Sequence, residues 1–239
     1  MKRILLVALI ACGSLAAFAA PVPKDAALLP PTEKQLEASV NNLKQIGIAI
    51  HSYNDAHQKM PADIVDGDGK ILLSWRVLLL PHLEETKLFE QFKLDEPWDS
   101  KTNKPLIEKI PKVYSPIRVK ATIGETYYQG FNGQGAAFEA GQKLIFPGSF
   151  TDGLSNTIAV VEAGEACIWS KPQDLPVDAD KPLPKLGGLF DGDFHALFMD
   201  GIVKPGHSQT MNADEFRKLV TRSDGLAVDH DAGLGTEKK

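Results

Sequence analysis

The sequence predicts an α+β fold, a long N-terminal amphipathic helix packed on a meandering antiparallel sheet and carrying irregular insertions. Three observations predict it. Between Thr32 and Pro61, the residues Leu36, Val40, Leu43, Ile46, Ile50 and Tyr53 recur at three- and four-residue steps, which places them on one helical face. After Val113 the pattern shortens to β-branched and aromatic runs at 126–131, 145–146, 158–162, 167–169 and 194–203, separated by Gly, Pro, Asn and Asp. Hydrophobic residues make up 43% of the 239 and charged residues 24%, enough for a packed core.

The chain opens as an export signal. Lys2-Arg3 is a positive n-region, 4–10 an apolar stretch, and small residues follow. Two processing sites compete. Ala17-Phe18-Ala19 fits the small-x-small rule for cleavage before Ala20, whereas Leu9-Ile10-Ala11-Cys12 resembles a lipobox that would lipidate Cys12. A retained anchor is the third alternative, the run being close to the ~20 residues a bilayer requires. The expected organisation is a signal peptide at 1–19 (or a lipoprotein leader ending before Cys12), a Pro-rich linker at 20–31, a single domain at 32–225 and a flexible tail at 226–239.

Thr32-Glu33-Lys34-Gln35 has the form of a capping box and starts the helix, which must stop before Pro61. Asp66-Gly67-Asp68-Gly69 reads as a turn. It lacks the further acidic ligands of a calcium loop, since Lys70 and Val77 stand where that pattern wants carboxylates or amides. Pro81 opens a second helix carrying Leu83, Leu88, Phe89 and Phe92. Residues 171–188, rich in proline, read as a surface excursion. Asp200-Gly201 makes a hairpin turn, and Asn212 caps a closing helix with Phe216, Leu219 and Val220 inward.

Charge and chemistry narrow the function classes. The formal charge is −5, and removal of Lys2 and Arg3 with the leader leaves 24 basic against 31 acidic residues. Nucleic acid therefore finds no electrostatic support. Cys12 and Cys167 are the two cysteines, so no internal disulfide framework exists, and Cys167 reads as a small buried hydrophobe. His51 and His57 are six apart and do not share a helix face as an i, i+4 zinc pair would. No Gly-x-Ser-x-Gly elbow is present. No catalytic residue and no cofactor is expected. Asp191, Asp193 and Asp200 are weak calcium candidates. Trp75, Trp98 and Trp169 would form a binding surface if two or more of them shared an open groove.

The ordered segments Asn41-Asn42-Leu43-Lys44-Gln45-Ile46-Gly47, Ala49-Ile50-His51-Ser52-Tyr53, Met60-Pro61, Ser74-Trp75-Arg76-Val77, Leu80-Pro81-His82-Leu83-Glu84, Glu96-Pro97-Trp98-Asp99, Thr151-Asp152-Gly153-Leu154-Ser155-Asn156-Thr157, Val161-Glu162-Ala163, Asp174-Leu175 and Phe198-Met199-Asp200-Gly201 carry a resemblance. Together they resemble the planctomycete family built on the domain of unknown function 1559 (DUF1559), whose members look like type II secretion pseudopilins. The resemblance implies the helix-on-sheet fold and carries no catalytic residue with it. This chain departs from that pattern in two ways. Its helix carries Lys34, Glu37 and Lys44 and follows a proline linker, so the lipid-facing half of a pilin helix is missing. His195 also stands closer to Asp200 than the family's histidine does. The expected function is that of an exported, non-catalytic structural or interaction module, with other envelope or pilin-like proteins as partners. The alternative is a secreted small-solute or glycan-binding protein.

Overall fold

A computed structural model describes residues 30–118, 122–139, 142–178 and 180–236. The expected leader, Cys12 and most of the expected proline linker lie outside them.

Helix α1 runs from Glu33 to His57. Thr32 Oγ1 accepts from the Gln35 N–H, and Gln35 Oε1 accepts from the Thr32 N–H, completing the capping box. The helix ends on Gln58 in the left-handed conformation, two residues short of Met60-Pro61. Leu43, Ile46, Ala49, Ile50 and Tyr53 are buried as the periodicity requires. Gly47 brings the helix onto the sheet: a Cβ there would lie 3.0 Å from Leu197 Cδ1.

Among the described residues, strands β3 (Glu125–Gln129), β5 (Ile158–Ile168), β7 (Asp193–Phe198) and β8 (Val203–His207) form one antiparallel sheet in that order. A short hairpin pairs β1 (Ile64–Val65) with β2 (Ile71–Leu73). Its turn is the Asp66-Gly67-Asp68-Gly69 stretch, where Asp66 Oδ1 accepts from the Asp68 and Lys70 N–H groups. Asp200-Gly201 turns β7 into β8.

The sheet is covered on both faces. Val160 and Leu197 pack with α1, whereas Ile158, Val161, Phe194, Ala196 and Phe198 pack on the opposite side. That second layer is α4 (Ala213–Val220) and α5 (His230–Leu234), through Phe216, Leu219, Val220 and Leu234. Double coverage explains why 158–161 is a continuous apolar run and not an alternating one.

Three expectations need correction. The second helix is broken: a 3₁₀ turn at Leu80–Leu83 ends on left-handed Glu84, and α3 (Thr86–Phe89) restarts beyond it. The preceding apolar stretch is divided between β2 and the short α2 (Trp75–Leu78). The 171–188 segment is not only a surface excursion. Its β6 (Leu175–Pro176) pairs in parallel with β4 (Phe131–Asn132), and Asp174 turns inward. The tail is not frayed through 226–236, and the compact domain does not end at 225. Asp229 caps α5, and Gly233 sits close enough to α4 that a Cβ would meet Leu219 Cδ1 at 2.8 Å.

His230 fixes that tail. Lys204 Nζ donates to His230 Nδ1 at 3.0 Å, and His230 Nε2 donates to Asn156 Oδ1 at 2.9 Å. This pattern requires the neutral ring. Burial, then the Lys204 charge, lowers the His230 pKa from 6.5. A lowered folded-state pKa gives stability that is present above 6.5 and is lost as pH falls through the folded value. Acidification from pH 7.5 to 5 is expected to lower the protection factors of the 230–234 amides before those of β5, which mass-resolved exchange measures once corrected for the intrinsic pH dependence of exchange. Equal protection at both pH values would contradict this.

Candidate functional site

Three polar arrangements in the described part of the chain bear on chemistry, and the first two are buried. Beneath α1, Glu162 on β5 is fully buried. Its Oε1 accepts from Ser39 Oγ of α1, and its Oε2 accepts from the His195 N–H at 2.7 Å and from His195 Nδ1 at 3.0 Å. Tyr128 OH lies 2.8 Å from Ser39 Oγ and accepts from Asn42 Nδ2. Serine, acid and histidine are all present, but in the wrong order. The carboxylate stands between serine and imidazole, so the histidine has no hydrogen bond through which to take the Ser39 proton. The set ties α1 to three strands.

The second arrangement centres on Arg76, which is fully buried. Ser74 caps α2, its Oγ accepting from the Arg76 N–H and from Arg76 Nη1. Arg76 Nε donates to the Tyr128 carbonyl, and Nη2 meets Asp174 Oδ1 at 2.6 Å. Asp174 also accepts from Trp75 Nε1 and from the Gly130 N–H. One buried ion pair thus joins α2, β3 and the 171–176 segment, each charge having several further partners, as burial demands.

The third arrangement opens to solvent. A cavity of about 470 Å³ lies beside the C-terminal end of α1, walled by Tyr53, Met60, Ile64, Val65, Leu78 and Leu94, with Asp63 in its lining and Lys59 and Lys143 contributing as exposed residues. Asp63 Oδ1 accepts from the Trp75 N–H at 3.0 Å. Burial first, then the Asp174 charge, pushes the Asp63 pKa from 3.8 up to about 6, against the Trp75 N–H and Arg76, which favour ionisation. An apolar cavity with a carboxyl group displaced toward neutrality is where binding or proton exchange is expected.

The sign of that displacement gives a prediction. A raised folded-state pKa contributes stability that is present below 3.8 and is lost as pH rises through about 6. Asp63→Asn keeps an oxygen for the Trp75 N–H and removes the charge. It should match the parent at pH 4 and exceed it by about 1–2 kcal/mol at pH 7.5, allowing for solvent at the outer oxygen. Thermal melts at the two pH values measure this, and a less stable variant at pH 7.5 would contradict it.

The residues singled out in the sequence fall elsewhere. Trp75 and Trp169 are fully buried and Trp98 is half-buried, so they share no open groove and the expected tryptophan surface is not formed. Trp75 stacks on Phe138 at 4.5 Å between ring centroids, and Lys171 lies over Trp98. Asp191 faces Arg118, Asp193 pairs with His207 Nδ1 at 2.6 Å, and Asp200 Oδ1 accepts from the Ile202 N–H. Those three carboxylates do not converge, and no group of three or more His, Cys, Asp or Glu side chains is gathered for a metal among the described residues. Cys167 is buried, and burial pushes its thiol up to about 11, which disfavours the thiolate. Sequence reasoning missed Asp63. It follows Pro61-Ala62 in a stretch without periodicity, and its neighbours come from four separate segments.

No curated protein and no solved structure matches the chain. The stretch 38–143 matches a family described as a protein of unknown function, DUF1559. Residues 38–143, the part of the chain similar to the DUF1559 family, hold most of α1, the Ser74-Trp75-Arg76 segment and every wall of the Asp63 cavity.

Proposed function

We propose that this chain is an exported, non-catalytic module of pseudopilin-like architecture. It acts through its surface in the periplasm, at the cell surface or outside, against other envelope or pilin-like proteins. The outward face of α1 is the observation that carries this reading. Ile48 is 68% exposed there, beside a groove of about 580 Å³ between α1 and the β7–β8 turn. The next residue of that turn, Ile202, is 54% exposed. An exposed apolar side chain on α1 and another on the adjoining turn are what a contact with a partner would cover. The Ser39–Glu162–His195 and Arg76–Asp174 groups, by contrast, are spent on holding the fold. No helix among the described residues is long and apolar enough to cross a membrane, so membrane attachment would depend on the leader or on a lipid at Cys12.

Mass spectrometry of the N-terminus of protein purified from its native envelope tests export. A chain beginning at Ala20, or at a lipidated Cys12, supports the reading. An intact Met1 in the cytoplasmic fraction overturns it. A second reading, a secreted small-solute-binding protein, is favoured by the Asp63 cavity, whose volume lies within the range of about 300–1,000 Å³ typical of small-ligand sites.

A further inference from the structure

We propose that the Asp63 cavity binds a small zwitterion with an apolar body, an apolar amino acid or short apolar peptide, holding its ammonium group at Asp63 and its carboxylate at Lys59 and Lys143. The proposal rests on the small-solute reading above.

The carboxyl group lacks a cation of its own. Asp63 Oδ1 is held by the Trp75 N–H, and Oδ2 accepts no hydrogen bond among the described residues. Arg76 is the buried cation behind it, but its N–H groups are directed to Asp174, Ser74 Oγ and the Tyr128 carbonyl. Asp174 adds a like charge on that side, which together with burial opposes ionisation of Asp63. A cation entering from the cavity would reverse that balance, and an ammonium group brings three donors to do so.

The charges around the opening select further. Lys59 and Lys143 are exposed at the cavity. A ligand with only positive charge would meet two like charges there. One with only negative charge would meet Asp63. A zwitterion finds an opposite charge at each end, with Met60, Ile64, Val65, Leu78 and Leu94 left to cover an aliphatic side chain.

Calorimetric and NMR titrations of the folded domain with leucyl-leucine, hexylamine and hexanoate test this. Leucyl-leucine is expected to bind at least tenfold more tightly than either singly charged probe. Asp63→Asn should weaken leucyl-leucine tenfold or more and leave hexanoate no weaker. Lys59→Gln with Lys143→Gln should weaken leucyl-leucine several-fold and leave hexylamine no weaker. In the parent protein, saturation with leucyl-leucine should lower the pKa read from the Asp63 carboxyl carbon, a result that needs no variant. Tighter binding of hexanoate than of leucyl-leucine, or an unmoved Asp63 pKa at saturation, would overturn the ligand class and leave a small-solute site standing. No saturable response to any of the three probes would overturn the small-solute reading as well.

Discussion

Asp174→Ala should lower the stability of the folded chain by about 3–5 kcal/mol, because it strands Arg76 as a buried charge without its counter-ion. The same change removes the acceptor of Trp75 Nε1 and of the Gly130 N–H. At ~2–4 °C per kcal/mol for a domain of this size, the melting temperature should fall by roughly 6–20 °C. Calorimetry or circular dichroism measures it. The ion-pair account makes a second demand. Arg76→Met with Asp174→Leu removes both charges and keeps apolar volume, so the double variant should be less destabilised than Asp174→Ala alone. A double variant that is worse than the single one would mean that the charges themselves hold the 171–176 segment in place.

Trp169→Ala should cost about 3–5 kcal/mol, the usual loss for a buried tryptophan cut back to a methyl group. Trp169 stacks on Tyr114, meets Phe92 edge-on and donates from Nε1 to the Ile107 carbonyl. It is the point at which 80–114, a segment of short helical turns, is fastened to the end of β5. Local loosening should therefore exceed the global effect. Exchange protection in 104–114 is expected to fall more than in α4. Uniform loss of protection would contradict this role, and a variant as stable as the parent would contradict the burial itself.

The residues that were easiest to read are those whose signal is local. Thr32 and Gln35 sit three apart and cap α1, and the stripe from Leu43 to Tyr53 is buried as its spacing demands. The turns at Asp66 and Asp200 and most strands after Val113 follow from residue type over a few positions, although Ile145-Phe146 forms no strand and the runs at 158–162 and 167–168 belong to one strand. What could not be read is what depends on partners distant in sequence. Asp174 lies in a stretch rich in proline that resembles a loop, and its inward turn is decided by Arg76, ninety-eight positions away. The tail at 226–236 is rich in glycine and charge, yet it packs because Asp229, Gly233 and Leu234 fit against α4. Asp63 is a carboxylate of ordinary appearance until the walls of the cavity close around it. The tryptophans misled for the complementary reason. Large aromatic side chains serve cores and binding grooves alike, and composition does not distinguish the two.

The sealed Ser39–Glu162–His195 group bears on function as well as on fold. A serine, an acid and a histidine in contact invite a hydrolase reading, but Glu162 occupies the centre and α1 covers it. Chemistry there would need the helix to lift away from its own core. A groove along α1 and the Asp63 cavity are accessible, and both are suited to holding a partner or a ligand.

A photoreactive residue placed at Ile48, on the outward face of α1, tests most directly whether this chain works through that surface. Illuminated in the cells that produce it, the protein should cross-link to another polypeptide chain from position 48, and not from a control position such as Lys101, which is exposed far along the sequence from that groove. Monomer alone at position 48, or equal cross-linking from both positions, would contradict the account.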